Sequence, residues 1–387
     1  MINPLVSATE APPIAEAAGW LKPERFGADT PLIDVCQAVP GYGPPESLSA
    51  RVAGAAAEDA TAFYTPIAGI APLREALADD VNALYGGDVR PAEVLITSGC
   101  NQAFVLAMIA LAGSGSSVLL PAPWYFNHAM TLGLLGIEAI ALPCRPGNAM
   151  IPDPADAARL MRDDTRAIVL VTPNNPTGAI YPPGVMAAFL DLAAERGVAL
   201  VTDETYRDFL PPETGRPHGL FAERDWRRDG LIHLYSFSKV YSLTGYRVGA
   251  IVAASRTIAE IEKVMDCVAI CAPHISQRAA LYGLEELADW RAANRTLMAN
   301  RVEAFRDAMK RADNGFAIRS IGAYFAYVEH PYQDRSSLDV AKSLAAEKNL
   351  LCLPGTMFGP AQERMLRFAF ANVDESVMPA IAERLGR

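Results

Sequence analysis

The chain has 387 residues, of which 51% are hydrophobic and 20% are charged, so it can build a large globular core. Its formal net charge of -10 argues against a nucleic acid or an anionic membrane as a partner, because both require concentrated lysine and arginine. No basic segment followed by a long apolar run opens the chain, and no apolar stretch reaches the roughly 18 residues that span a bilayer. We therefore expect a cytoplasmic protein.

Residues 1–45 are rich in proline and glycine, which predicts an extended N-terminal arm rather than a domain. We expect this arm to lie across its own or a neighbouring subunit, because a long free segment is costly to order.

From about residue 71, amphipathic helical patterns alternate with short apolar strands. The predicted helices are 72–85, 101–112, 125–135, 153–162 and 185–196, and the predicted strands are 94–97, 118–120, 137–142, 167–171, 198–201, 231–235 and 248–254. Strands without polar alternation are buried on both faces, which is typical of parallel sheets covered by helices. The predicted fold class is α/β, with a mostly parallel central sheet.

After about residue 257 the pattern changes to long helices at 258–268 and 290–311, a strand pair within 316–328, a helix at 338–348, a strand at 365–371 and a short terminal helix. This predicts a second, smaller α+β domain. The predicted organisation is an arm (1–45) belonging to the small domain, a large domain (46–275) and a small C-terminal domain (276–387).

The six cysteines are scattered. Cys267 and Cys271 have the spacing of one helix face, but no His or Cys pair lies nearby in the sequence to complete a metal site. We predict reduced thiols and no metal.

Ligands of open α/β sheets bind beyond the carboxyl ends of the strands. After strand 94–97, Gly99, Cys100 and Asn101 open a helix whose free N–H groups could bind a phosphate, although Asn101 could also be a simple helix cap. After strand 118–120, Trp124 could pack in the core or stack on a flat ring.

Two further strands end in polar residues. Asn174 and Asn175 follow strand 167–171, where they could form a turn or point an amide at a ligand. Asp203 follows strand 198–201, where a buried carboxylate is costly unless a cation pairs with it. A protonated pyridine nitrogen is such a cation, and the phenol of Tyr206 could reach the hydroxyl beside it.

Lys239 directly follows strand 231–235 and the hydroxyls of Ser236 and Ser238, and Arg247 stands eight residues further on. A surface salt bridge would explain a lone lysine. A lysine that forms a Schiff base instead needs a dry site that lowers its pKa, and the serines and the arginine suit a phosphate. Together with Asp203, these residues predict a site for pyridoxal 5′-phosphate (PLP).

The combined motifs resemble those of the class I/II aminotransferases, the aspartate aminotransferase superfamily of fold type I PLP enzymes, over roughly residues 30–380. The motifs are Tyr64-x-Pro66-x-x-Gly69, Asn175-Pro176-Thr177-Gly178, Asp203-Glu204-x-Tyr206, Ser236-x-Ser238-Lys239 and Gly245-Tyr246-Arg247-Val248-Gly249. The resemblance implies an aminotransferase that moves an amino group from an α-amino acid to a 2-oxo acid by a ping-pong route. Its internal aldimine would form on Lys239, which would also move the proton.

The resemblance also assigns roles to the other residues. It implies that Asp203 pairs with the pyridinium nitrogen, that Asn175 and Tyr206 hydrogen-bond the ring oxygen, that Trp124 stacks on the ring, and that Ser236, Ser238, Arg247 and the N–H groups near Gly99, Cys100 and Asn101 hold the phosphate. Tyr64 would reach the phosphate of a neighbouring subunit, which implies a homodimer with shared sites.

For the substrate, the resemblance implies that Arg367 binds the α-carboxylate, with Asn175 and Trp124 nearby and the backbone of Ala38 and Val39 at the mouth of the site. Relatives commonly have Gly in place of Ala38 and Ser in place of Ala369. No second arginine is obviously placed for a dicarboxylate, and the substrate side chain stays open.

Three alternatives remain at this stage. A carbon–sulfur β-lyase would use the same cofactor residues. A PLP-binding transcriptional regulator would carry a DNA-binding domain before its core, whereas only about 45 residues precede this one. A dinucleotide site at Gly113-Ser114-Gly115 is disfavoured, because the third glycine is missing and the segment precedes a strand.

Overall fold

The computed structural model describes residues 1–27 and 30–386. The helices are α1 (Pro4–Ala8), α2 (Pro13–Ala18), α3 (Glu46–Ala56), α4 (Ala71–Tyr85), α5 (Cys100–Leu111), α6 (Phe126–Leu134), α7 (Pro154–Leu160), α8 (Pro183–Arg196), α9 (Leu220–Glu223), α10 (Phe237–Val240), α11 (Ser255–Ala269), α12 (His274–Glu286), α13 (Ala288–Ala312), α14 (Ser337–Lys348) and α15 (Met378–Gly386). The strands are β1 (Ile33–Asp34), β2 (Val94–Thr97), β3 (Ser117–Ala122), β4 (Glu138–Pro143), β5 (Thr165–Val171), β6 (Ala199–Asp203), β7 (Leu231–Ser236), β8 (Gly249–Ala253), β9 (Ala317–Gly322), β10 (Phe325–Glu329), β11 (Leu350–Leu351), β12 (Leu353–Pro354) and β13 (Met365–Ala369).

The central sheet has seven strands in the order β2-β8-β7-β6-β5-β3-β4. The pairs from β7 through β4 are parallel, and β8 alone runs antiparallel to both of its neighbours. This confirms the predicted α/β class with a mostly parallel sheet flanked by helices. Because β5, β6 and β7 run side by side in one direction, their carboxyl ends meet at one edge.

The flanking helices pack on the sheet through apolar side chains. Strands β6, β7 and β8 are buried at every residue, as the lack of polar alternation predicted. Helix α5 lies against β7 and β8 and buries Phe104, Leu106 and Met108. Helix α8 ends where Gly197 adopts a left-handed conformation (φ 65°), which a glycine permits without a Cβ clash.

A second, smaller sheet is antiparallel, with the order β12-β13-β10-β9. Its core contains Phe305 of α13, Phe368 of β13 and Ile381 of α15, together with Val35 from the N-terminal segment. In addition, β1 pairs in parallel with β11. The N-terminal segment thus packs with the C-terminal third of the chain, while the exact domain limits at 45 and 275 stay predictions.

The predicted elements need correction in three places. The N-terminal arm is not simply extended, since it contains α1 and α2, whose prolines occupy first-turn positions that a helix tolerates. Helices α3 and α12 were not predicted, because their sequences mix polar and small residues with the apolar positions. The strand expected at 365–371 ends at Ala369, and a short 3-10 turn follows.

Within the described residues, no helix is both long enough and apolar enough to cross a membrane. The same residues contain no group of three or more His, Cys, Asp or Glu side chains placed to hold a metal ion. The six cysteines are free in the structure, and their reduced state in the cell stays a prediction.

Candidate active site

A cavity of about 420 Å³ lies at the carboxyl ends of β5, β6 and β7. The N-terminal segment and the small sheet close its other sides. Its lining includes the following predicted site residues: Ala38, Val39, Cys100, Asn101, Asn175, Asp203, Tyr206, Ser236, Ser238, Lys239, Arg247 and Arg367. The fold therefore brings together residues that lie far apart in the sequence.

Lys239 stands on the one-turn helix α10, directly after β7. Ser236 caps this helix, and its Oγ accepts the N–H of Ser238 at 3.2 Å. The Nζ of Lys239 donates a hydrogen bond to the carbonyl oxygen of Ala38 at 2.6 Å. Burial, assisted by the positive charges of Arg247 and Arg367, lowers the pKa of Lys239 to about 8. About a tenth of this amine is therefore unprotonated, and nucleophilic, at pH 7, far more than for a lysine with the ordinary pKa.

Asp203 ends β6 and is buried beside the cavity. Its Oδ2 lies 3.2 Å from Nε2 of His128, and its Oδ1 accepts the N–H of Thr205 at 3.0 Å. Burial by itself raises the pKa of this carboxyl, but the hydrogen bond and charge of His128, together with Thr205, outweigh burial and lower it. Asp203 therefore carries a negative charge in a buried place.

His128 was missed in the sequence. It lies on α6, where its ring stacks on Phe104 with centroids 3.9 Å apart. A signal was present, because His128 shares the buried face of α6 with Leu132 at helical spacing, and a polar residue on an apolar face needs a partner.

A cradle for an anion lies between the start of α5 and Arg247. Gly99 has φ 84°, and a Cβ added there would lie 2.4 Å from Nη2 of Arg247, so only glycine fits. The free N–H groups of the first turn of α5 lie at the end of the helix that borders the cavity, next to Asn101. Arg247 is fixed by a hydrogen bond from Nη1 to the carbonyl of Thr244 at 3.0 Å. A cationic side chain and free N–H groups at one point suit a phosphate.

Arg367 is fully buried on β13, between the rings of Phe325 and Phe358. The Nη1 of its guanidinium donates to Oδ1 of Asn175 at 3.0 Å, and Nη2 donates to the carbonyl of Cys36. The Nε has no hydrogen-bond partner among the described residues. A buried guanidinium without a carboxylate partner suits an anionic ligand with planar geometry.

Tyr206 lines the same cavity and packs edge-on against Phe325, with ring centroids 5.1 Å apart. Burial raises its pKa well above the ordinary value, so its phenol stays protonated and can donate a hydrogen bond.

Trp124 was predicted to stack on the ring in the site, but the next residue, Tyr125, lines the cavity instead. Trp124 is not among the residues that line this cavity. Its backbone N–H donates to the carbonyl of Phe358, and its ring packs against Gly359 beside a second cavity. Of these two neighbouring residues, it is Tyr125 that lines the cavity, and its hydroxyl lies 3.4 Å from Oδ1 of Asn101. The strand pattern located the segment, but the turn before α6 decides which of two adjacent aromatic residues faces inward.

Tyr64 lies outside the cavity of its own chain and is 77% exposed. Its predicted contact with a second subunit stays a prediction.

Comparisons with known proteins show the family and the fold of the chain. Residues 29–385 match the family described as aminotransferase class I and II. The chain is 28% identical to an aspartate aminotransferase of Pyrococcus horikoshii, covering 92% of this chain and 91% of the relative, and 27% identical to the aromatic aminotransferase ISS1 of Arabidopsis thaliana, covering 95% of each. The solved structure of the Thermus thermophilus aspartate aminotransferase with maleate superposes with a TM-score of 0.90 at 25% identity, over 100% of this chain and 99% of that one.

Proposed function

Since the chain belongs to the class I and II aminotransferase family and is an aminotransferase, we propose that it moves an amino group from an α-amino acid to a 2-oxo acid with PLP as cofactor. The route would be ping-pong. Nζ of Lys239 would hold PLP covalently before and after a complete cycle, and it would be free between the two half-reactions, when the cofactor carries the amino group.

The observation that carries this proposal is the convergence of Lys239, Asp203 and Arg367 on one cavity. They offer an amine with a pKa of about 8, a buried carboxylate and a buried guanidinium whose Nε has no partner among the described residues. A simple structural role would pair these charges with each other, yet no ion pair joins them in the described part of the chain. Lys239 and Arg367 have no carboxylate partner among the described residues, and Asp203 contacts His128 but also borders the cavity. The three groups therefore favour a ligand that carries the complementary charges.

PLP fits these residues, since the Gly99–Arg247 cradle suits its phosphate and Asp203 suits its ring nitrogen. When bound, PLP withdraws electrons from the bond that is broken at the substrate α-carbon. With PLP bound, Asp203 would hold the ring nitrogen protonated, and Arg367 would hold the substrate α-carboxylate. Lys239, once released from the cofactor, would take the proton from the substrate α-carbon and deliver it to the cofactor carbon C4′ in the first half-reaction, and it would move the proton in the opposite direction in the second.

A homodimer with shared sites is part of the proposal. Phe63 and Tyr64 are 70% and 77% exposed, which is unusual for adjacent large side chains in a monomer. A second subunit that covers them would bring Tyr64 to the partner's cofactor.

Borohydride reduction of the purified holoprotein tests the central assignment. We expect the cofactor to be fixed on the peptide that contains Lys239, and Lys239→Met to bind PLP without a covalent link. A labelled peptide elsewhere would contradict the proposal.

A second assay separates amino transfer from elimination. With an amino donor alone, we expect the matching 2-oxo acid and pyridoxamine phosphate in equal amounts. Turnover of a cysteine conjugate to pyruvate and ammonia, without an acceptor, would instead favour the β-lyase.

A further inference from the structure

The charged residues that line the cavity limit which substrates it can bind. Among the described lining residues, the cations are Lys239, Arg247 and Arg367. The proposed function, on which this inference rests, assigns them to the cofactor link, the phosphate and the α-carboxylate. No cation that this chain contributes to the described lining is then left for a second carboxylate, and the side chain that the proposed dimer brings from the partner, Tyr64, is a phenol rather than a cation. Burying an unpaired carboxylate is strongly unfavourable.

The part of the cavity that the cofactor residues do not account for has an apolar wall. Ile14 of α2, Val39 of the N-terminal segment and Phe126 of α6 line it. The uncharged polar residues of the lining are amides and hydroxyls, including Gln37, Thr205 and Thr244. Two of the amides are already engaged, since Asn127 donates to the Tyr125 hydroxyl at 3.0 Å and Asn101 lies 3.4 Å from it. This wall suits a side chain without charge.

Phe126 also separates this cavity from a second one of about 390 Å³. The second cavity is lined mainly by apolar groups, including Leu5, Trp124 and Met357, and Glu10 is its charged lining residue. The Phe126 ring is held between Tyr125 and Phe358, with ring centroids 5.2 and 5.7 Å away. A longer side chain that passed Phe126 would therefore enter apolar surroundings with a negative charge, which again disfavours a dicarboxylate.

We propose that the preferred amino donor carries an uncharged, mainly apolar side chain that lies against Ile14 and Phe126, and that Phe126 limits its length.

The first test compares three carboxylic acids of equal chain length that lack the amino group and cannot react: pentanoate, glutaramate and glutarate. Each is titrated calorimetrically into the PLP-loaded protein. All three offer a carboxylate to Arg367 and differ at the far end, which is a methyl, an amide or a carboxylate. We expect pentanoate to bind at least about tenfold more tightly than glutarate, with glutaramate between them. Tightest binding of glutarate would overturn the inference.

The second test measures kcat/KM for methionine, glutamine and glutamate, which are close in size. We expect the order methionine, glutamine, glutamate. If glutamate is the best donor, amino transfer stands and the inference falls, whereas absence of transfer from every donor contradicts the proposed function instead.

Two variants locate the wall. Ile14→Ala is expected to weaken pentanoate binding about tenfold and to leave glutarate binding unchanged. Phe126→Ala is expected to shift the preference from pentanoate toward octanoate, because it joins the two cavities. Met130→Ala is the matched control, since Met130 lines only the second cavity, and it should not change the preference.

If Phe126→Ala does not fold, Phe126→Leu retains the packing against Phe358 and should shift the preference in the same direction. An unchanged preference in a folded Phe126 variant, or equal weakening of pentanoate and glutarate by Ile14→Ala, would contradict the assignment of the wall.

Discussion

Asp203 and Glu204 are adjacent buried carboxylates with opposite surroundings. Asp203 faces the cavity, and its hydrogen-bond partners are His128 and the N–H of Thr205. Glu204 faces away from it into the large core. Its Oε1 lies 2.7 Å from Nε2 of His218, and its Oε2 accepts the hydroxyl of Tyr85.

The two carboxylates are equally buried, at 4% and 1% exposure, so burial alone does not distinguish a site from a structural network. The difference lies in what surrounds them. Glu204 is bonded to the side chains of Tyr85 and His218, whose rings stack with centroids 4.6 Å apart, and it does not line the cavity. Asp203 lies beside a cavity that also contains an amine and a guanidinium. A functional carboxylate thus remains accessible to a cationic group of a ligand, whereas the hydrogen bonds of a structural carboxylate are all made to other residues of the chain.

Replacing Asp203 tests the functional half of this comparison and should have the largest effect. We expect Asp203→Asn to bind PLP through the phosphate contacts but to lower kcat by about 10² to 10³, because the amide cannot hold a positive charge on the ring nitrogen. Single-turnover kinetics of the PLP-loaded variant measure this loss. The midpoint of unfolding in urea should change little, and near-normal turnover would mean that another residue pairs with the ring.

Replacing Glu204 tests the structural half. Glu204→Gln should lower the free energy of unfolding by about 2 to 4 kcal/mol, because the bonds to His218 and Tyr85 lose the charge of the carboxylate. Its kcat should stay within a few-fold of the parent.

Asp191→Asn is the control for that variant. Asp191 is paired with Arg224 at the surface, where such pairs contribute about 1 kcal/mol or less. A large loss of kcat in Glu204→Gln, without a decrease in the free energy of unfolding, would contradict the structural role of Glu204.

Acid should weaken the structural network through His233. Burial lowers the pKa of His233 to about 4 from an ordinary 6.5, and neither ring nitrogen has a hydrogen-bond partner in the described part of the chain. Between pH 6.5 and 4 the unfolded chain therefore binds a proton that the folded chain does not. The free energy of unfolding consequently decreases as the pH is lowered from 6.5 to 4, by up to about 3 kcal/mol.

His233→Phe removes this slope, since phenylalanine does not titrate. Urea unfolding of the two proteins at several pH values between 6.5 and 4 measures the difference. Parallel curves for parent and variant over that range would contradict a neutral, buried His233.

The smallest expected effect is a lowered pKa of the Lys239 amine in the cofactor-free protein. Its folded pKa of about 8 lies below the ordinary 10.5, so the reactive, unprotonated amine appears as the pH rises through about 8. Reductive methylation of Lys239, followed by mass spectrometry, should reach half its maximal rate there. By the same linkage, this residue adds stability as the pH rises from about 8 to 10.5. A half-maximal rate near 10.5 would mean that the amine is not desolvated.

Much of the site could be predicted from the sequence. Lys239, Asp203, Asn175 and Asn101 each follow an apolar strand, and parallel strands place their carboxyl ends at one edge whatever the packing details. The same pattern predicted the central sheet and its flanking helices, because continuous apolar runs are required where both faces are covered.

What the sequence by itself determined was therefore the order of strands and helices and the chemistry at the strand ends, since both follow from local periodicity and residue type. Only the tertiary structure decided that Tyr125 rather than Trp124 faces the cavity, that His128 meets Asp203, and that Ile14 forms part of the wall. These contacts depend on the rotation of α6 about its axis and on the path of the N-terminal segment. Both are set by packing between segments far apart in the chain, about which local pattern carries no information.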